Sequence, residues 1–220
     1  MKEQLGKHYD RLVEQHGLSS QSAQWADKES HWKRLSVLCE ISQDLPKSSV
    51  LDVGCGVGEL LQYLVSEADF KGSYTGLDVS RKAVEAARLR HPDDRFECQD
   101  ISETHSVGPH DYVVLCGIFN NRMGDEEEAR AYLRSLLKAS VRLARKGVAF
   151  NLISTYVDYR DPDLNYFSPE AVLEFVKNEI TDRFTLRNDY LVREGSVPFE
   201  ISFYLYPPTK LEQYEWPLSQ

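Results

Sequence analysis

Residues 50–60 read V-L-D-V-G-C-G-V-G-E-L, and no other stretch restricts the fold as much. A short apolar run, Val50 to Val53, opens into Gly54, Gly56 and Gly58 on alternate positions. Leu60, Leu61, Leu64 and Val65 then recur at helical spacing. This pattern describes a buried strand that passes through a glycine turn into a helix. Glycines let the backbone approach a ligand without Cβ clashes. The helix N-terminus behind them offers free N–H groups and a partial positive charge, which suits a carboxylate or a phosphate. Asp78 stands 20 positions beyond Gly58, at the end of a second apolar run, Tyr74 to Val79. An acid there can hydrogen-bond both hydroxyls of a ribose. Dehydrogenases and other nucleotide-binding folds use the same turn.

The rest of the chain continues the alternation. Ser80 is a helix cap before Ala83, Val84 and Ala87. Arg95 to Cys98 reads as a third strand and Tyr112 to Cys116 as a fourth, apolar on both faces and therefore central. Residues 125–144 form a helix with Ala129, Tyr132, Leu133, Leu136, Leu137, Ser140 and Val141 in one stripe, its start stabilised by the acidic run Asp125 to Glu128 and its stop placed at Gly147. Val148 to Ile153 is a fifth strand, and Ser168-Pro169-Glu170 starts another helix. Leu186 to Tyr190 and Phe199 to Tyr206 are final strands with no helix between them. The expected fold is α/β: a mostly parallel sheet covered on both faces, its last two strands a hairpin that leaves one of them antiparallel, plus N-terminal helices. Residues 1–47 are expected to be a helical cap or lid, with Leu5, Tyr9, Leu12 and Val13, then Trp32, Leu35 and Leu38, at helical spacing. Residues 48–220 are the main domain.

Composition narrows the partners. Acidic residues outnumber basic ones 35 to 26, a formal charge of -9, and no cluster of Lys and Arg offers a phosphate-binding surface. Nucleic acid and an anionic membrane surface are disfavoured. No run approaches the roughly 18 apolar residues of a membrane helix, and the opening Met1-Lys2-Glu3-Gln4 does not read as a signal peptide. Cys39, Cys55, Cys98 and Cys116 form no C-x-x-C pair, so no metal is expected and reduced thiols in a cytoplasmic protein are.

Asp52-Val53-Gly54-Cys55-Gly56-Val57-Gly58, then Gly76-Leu77-Asp78-Val79-Ser80, Gln99-Asp100-Ile101 and Asp111-Tyr112-Val113-Val114-Leu115-Cys116 stand in an order and spacing that resembles the class I S-adenosylmethionine-dependent methyltransferases over about residues 48–154. The resemblance implies a Rossmann-like, doubly wound, seven-stranded sheet, mostly parallel with an antiparallel last strand. It also implies S-adenosylmethionine as cofactor and S-adenosylhomocysteine as product. Gly54 to Gly56 would line the cofactor's amino-acid moiety, and Asp52, Cys55, Val79 and Cys116 are also expected at the cofactor. Asp78 would bind the ribose, and Asp100 the adenine amino group, with Ile101 beside the ring. The N-terminal segment also resembles one in some small bacterial methyltransferases that folds over the cofactor. The matching residues are Tyr9, Trp25, Lys28, Ser30 and Arg34, and Arg34 would pair with the cofactor carboxylate.

The acceptor pocket of such a sheet lies beyond the carboxyl ends of strands four and five. That points to Asn120, Asn121, Asn151, Tyr156 and Tyr159 as substrate-binding residues, with Tyr166 and Tyr190 completing an aromatic wall. No residue stands out as a general base. The candidates are His8, Asn120 and Tyr156; His16, His31, His91, His105 and His110 read as surface or capping residues. The Asn-Pro-Pro-Tyr signature of exocyclic amine methylation is absent, and the corresponding stretch is Ile118-Phe119-Asn120-Asn121. The expected reaction is methyl transfer to an O or N atom of a small molecule. A protein-directed lysine N-methyltransferase is the alternative, and a cofactor-binding protein without turnover a third reading. The acceptor and the oligomeric state are not legible in the sequence.

Overall fold

The computed structural model describes residues 2–17, 19, 22, 25, 27–103 and 106–208. His105 and parts of the 18–26 segment lie outside the described residues. Two helices, α1 (Lys2–His16) and α2 (Lys28–Cys39), precede an alternating series. It runs β1 (Ser49–Val53), α3 (Glu59–Glu67), β2 (Ser73–Asp78), α4 (Arg81–Arg90), β3 (Arg95–Cys98), β4 (His110–Leu115), α5 (Glu126–Arg142), β5 (Ala144–Ile153), α6 (Pro169–Glu179), β6 (Phe184–Arg187) and β7 (Glu200–Leu205). The strands form one sheet in the order β3-β2-β1-β4-β5-β7-β6. β7 alone runs antiparallel to its neighbours β5 and β6. The reversed seventh strand expected from the sequence is therefore present.

Side chains alternate across the sheet with the strand period of two. Leu51, Val113, Leu115, Phe150 and Phe203 pack under α5 and α6. Val50, Tyr112, Val114, Ala149 and Tyr204 pack under α2, α3 and α4. Both faces are thus covered, which is why β4, at the centre, is apolar on both. Strand order reverses between β1 and β4. That switch point opens a crevice at the carboxyl ends of the strands.

Local signals explain the helix starts. Ser80 Oγ accepts from Ala83 N at 3.1 Å, and Ser168 Oγ from Ala171 N at 3.2 Å, with Pro169 in the first turn. Asp125 and Glu128 form a reciprocal capping box at the head of α5. Three expectations need correction. Val65 is 57% exposed and points away from the buried face of α3. Gly147 does not stop α5, which ends at Arg142; it lies within β5, where a Cβ would come within 2.8 Å of Ile41 Cδ1 and 3.0 Å of the Leu205 carbonyl oxygen. The sixth strand ends at Arg187, because Tyr190 leaves the sheet edge to pack with Val37 of α2 and to share a 2.7 Å hydrogen bond with Ser202.

The helix α1 belongs to neither layer. It packs on α4, and its Gly6 lies against the chain after β2, where a Cβ would stand 2.9 Å from the Val79 carbonyl oxygen. Asp10 Oδ1 accepts from Ser80 Oγ at 2.6 Å and from Lys82 N at 3.1 Å, adding a second cap to α4. Lys82 and Glu14 close the same contact with an ion pair. Among the described residues no helix is long and apolar enough to cross a membrane.

Candidate active site

A cleft of about 1010 Å³, its open mouth included, occupies the crevice at the switch point. Eleven of the twelve residues expected at the cofactor line it: Tyr9, Trp25, Asp52, Gly54, Cys55, Gly56, Asp78, Val79, Asp100, Ile101 and Cys116. They arrive from α1, the segment before α2, and the ends of β1, β2, β3 and β4. The strand topology alone gathers positions spread over more than a hundred residues.

The glycine turn forms its floor. Gly54, Gly56 and Gly58 have φ of 79°, 52° and 83°, in the left-handed region that favours glycine. A Cβ at Gly54 would strike Ile118 Cγ2 at 2.3 Å, whereas one at Gly56 meets nothing within 4 Å. Gly56 therefore faces open space in the cleft. Asp78 reaches back to this turn: its Oδ2 accepts from Gly56 N at 2.9 Å and its Oδ1 from Ser80 N at 2.8 Å. Each oxygen keeps a lone pair for a hydroxyl donor. Burial raises the Asp78 pKa, and the backbone donors oppose it. Asp100 is buried and gives Oδ1 to Ser102 N at 2.8 Å, leaving Oδ2 available. Among the described residues the lining includes no lysine or arginine but four carboxylates, Asp52, Glu59, Asp78 and Asp100.

Asp52 is the most perturbed of these acids. It is buried, and its Oδ2 accepts from Tyr74 OH at 2.5 Å. Burial raises its pKa to about 7; the tyrosine hydrogen bond opposes the shift and the Asp78 charge adds to it. The folded chain thus holds a proton here that the unfolded chain releases near pH 4. Stability from this group is complete below about pH 4 and is lost as pH rises through 7. Asp52→Asn removes that loss. Between pH 5 and 8 the variant should gain on the wild type by roughly 2 kcal/mol in urea unfolding. Parallel pH dependences would show that Asp52 ionises freely.

The remaining wall comes from the N-terminal segment. Tyr9 OH accepts from Asn121 Nδ2, joining α1 to the loop after β4. Burial, reinforced by the nearby Asp78 charge, pushes the Tyr9 phenol up to about 12 against the Asn121 hydrogen bond. Trp25 packs on Gly117, where a Cβ would lie 2.4 Å from the indole. It stacks on His31 at 5.0 Å and under the Arg34 guanidinium at 4.3 Å. Lys28 sits 3.8 Å over the Trp32 ring, and Ser30 N donates to Asp27 at the start of α2.

Several expected residues stand elsewhere. Arg34, the twelfth, lies behind Trp25, and its guanidinium is held by Glu200 at 2.5 Å. Asn151 is buried with both ends of its amide in use: Oδ1 accepts from Gly117 N at 2.7 Å and Nδ2 donates to Glu200 at 3.0 Å. A buried polar chain, Arg34–Glu200–Asn151–Gly117, therefore backs the Trp25 wall. Tyr156 and Tyr159 are 60% and 76% exposed and do not line the cleft; Tyr156 OH donates to Glu170. Tyr190 is committed to Ser202, and Tyr166 accepts from Asp161 N. His8 lies edge-on to Tyr9, outside the lining. Asn120 is buried near Gly117 but is not among the residues that line the cleft, and its Oδ1 has no partner.

Sequence reasoning missed His31 and Tyr132. His31 is not a surface residue: it is 5% exposed, lines the cleft, and burial lowers its pKa to about 4. Its spacing four before Leu35 and seven before Leu38, both buried, was the available signal. Tyr132 was assigned to the core stripe of α5, but that face also forms the cleft wall.

The fold and the cleft agree with known proteins. A family of methyltransferase domains matches residues 50–140. The "Putative methyltransferase Rv1506c" of Mycobacterium tuberculosis is 35% identical over 153 residues, which cover 68% of this chain and 90% of that protein. The N-methyltransferase NodS from Bradyrhizobium japonicum WM9, in complex with S-adenosyl-L-homocysteine, superposes with a TM-score of 0.65 at 14% identity, covering 92% of this chain and all (100%) of that one. Magnesium protoporphyrin IX methyltransferase from Synechocystis PCC 6803, with bound SAM, gives 0.58 at 18% identity, covering 80% of this chain and 78% of that one. With a relative of that identity, a matching domain and the reversed seventh strand in hand, the chain belongs to the class I methyltransferases and is an S-adenosylmethionine-dependent enzyme.

Proposed function

We propose that the enzyme methylates an oxygen or nitrogen atom of a small molecule, in a cleft closed by residues 1–47 over a methyltransferase domain of residues 48–220. One observation carries this reading. The helix α1 is fastened across the cleft at both sides, to Ser80 and Lys82 through Asp10 and to Asn121 through Tyr9. A wall held in this way suits an acceptor that fits inside and leaves little entry for a folded polypeptide.

Roles follow from position. Asp78 holds the ribose hydroxyls, Asp100 and Ile101 the adenine, and Gly54 to Gly56 the amino-acid moiety. Tyr9, Trp25, Cys55, Val79 and Cys116 exclude water around them. S-adenosylmethionine supplies an activated methyl on a sulfonium, so the protein's share is to align and desolvate the acceptor. Asn120, with its amide nitrogen beside Gly117 and its buried oxygen unpaired, offers an acceptor hydroxyl or amine a hydrogen bond. Arg34 and Asn151 act through the Trp25 wall. The solved relatives support a small acceptor by analogy: one is named for a porphyrin substrate, another as an N-methyltransferase. The acidic lining favours the second reading, a cationic amine such as a lysine side chain. A cytoplasmic location fits the free thiols.

Two measurements test the reading. Gly6→Val pushes α1 away from Val79, so affinity for S-adenosylhomocysteine should fall about tenfold, with the unfolding midpoint of the sheet retained. Unchanged affinity would free α1 of any role as a lid. Labelled methyl should pass to members of a panel of small alcohols, phenols and amines and not to lysine-rich peptides. The reverse pattern would replace the small-molecule reading with the protein-directed one.

A further inference from the structure

One ring nitrogen among the residues that line the cleft has no hydrogen-bond partner. His31 is 5% exposed and lines the cleft, yet its Nδ1 makes no hydrogen bond. Buried polar atoms are nearly always paired, so an orphan inside a ligand cleft points to the ligand. Its surroundings narrow the choice. Glu59, the first residue of α3, and Arg34 both act electrostatically on the ring. Burial, with Arg34, keeps it neutral against the pull of Glu59. A neutral imidazole carries one N–H donor and one lone pair.

Cofactor orientation then decides what the ring meets; this step rests on the reading above. With the ribose at Asp78 and the adenine at Asp100, the amino-acid end runs the other way. It crosses the glycine turn toward the head of α3 and the Trp25–His31 stack. Its carboxylate finds no lysine or arginine in the described lining, and the guanidinium groups beside that lining, Arg34 and Arg90, are held by Glu200 and Glu59. We propose that His31 takes the place the sequence assigned to Arg34: its ring N–H hydrogen-bonds the cofactor carboxylate and selects for cofactors that carry the amino-acid moiety. The stack on Trp25 fixes the ring plane, and the buried chain behind Trp25 fixes the stack.

Calorimetry with S-adenosylhomocysteine, and competition by 5′-methylthioadenosine, which lacks the amino acid, test the proposal. His31→Phe keeps an aromatic ring on Trp25 and removes the hydrogen bond. It should weaken S-adenosylhomocysteine at least tenfold and leave 5′-methylthioadenosine within twofold. His31→Asn, whose amide nitrogen falls near the Nδ1 position, should stay within threefold of the wild type. Full affinity in His31→Phe would reduce the ring to packing. An equal loss for both ligands, or no recovery in His31→Asn, would also overturn the carboxylate contact. If the wild-type protein bound neither ligand, the cofactor site read above would itself be wrong and the proposal would fall with it.

Discussion

Asp78→Ala should weaken S-adenosylhomocysteine binding by about a hundredfold or more. The carboxylate has two jobs. It offers a lone pair from each oxygen to a ribose hydroxyl, and hydrogen bonds to a charged group contribute about 1.5–3 kcal/mol each. It also holds the Gly56 and Ser80 N–H groups at 2.9 and 2.8 Å, which sets the shape of the glycine turn. Asp78→Asn separates the two. The amide oxygen can keep one backbone donor, while the amide nitrogen faces the other as a second donor, so a partial loss is expected. Calorimetry on both variants gives the comparison. Affinity within twofold of the wild type in Asp78→Ala would remove this residue from the cofactor site.

The second large effect is on stability. Arg34 and Glu200 are 5% and 0% exposed at their side chains, and the pair is shielded from solvent on all sides. Removing one partner of such a pair leaves a buried, unmatched charge and costs about 3–5 kcal/mol. Arg34→Ala also strips the guanidinium from the face of Trp25. Urea unfolding should therefore show a loss of about that size, a fall of roughly 10 °C in the thermal midpoint for a chain of this length. Arg34→Met with Glu200→Leu should recover most of it, because no charge is then stranded, although Asn151 loses an acceptor. A loss below about 1 kcal/mol in Arg34→Ala would mean that water reaches the pair.

What could be read from the sequence was local. The glycine turn, the acids at the ends of β2 and β3, and the caps at Ser80 and Ser168 are set by neighbours a few residues away, and each stands as expected. The seven strands and the reversed β7 followed from short apolar runs between helical stripes and from the missing helix before the last strand. The side-chain partners were another matter. Arg34 was free to pair with a ligand until β7 brought Glu200 to it across the sheet. Asn151 sits at the end of β5, as expected, but Gly117 and Glu200 use both ends of its amide. Tyr156 and Tyr159 follow β5 into a loop that turns outward, and aromatic composition alone carries no direction. His31 was hidden by chemistry rather than distance: a histidine on a charged helix reads as solvated, although its spacing to Leu35 and Leu38 puts it on the buried face, where it stacks on Trp25.

The Arg34–Glu200 pair also orders events during synthesis of the chain. The two residues are 166 positions apart. Ribosomes add about 5–20 residues per second, so Arg34 is synthesised roughly 8 to 33 seconds before its counter-charge exists. Throughout that interval α2 can lie on the growing sheet only with an unmatched cation beneath it, which opposes docking. The strands β1 to β5 are translated during the same wait. Translation therefore delivers β7 late and α2 early, and the helix made near the start of the polypeptide is among the last parts of the enzyme to settle.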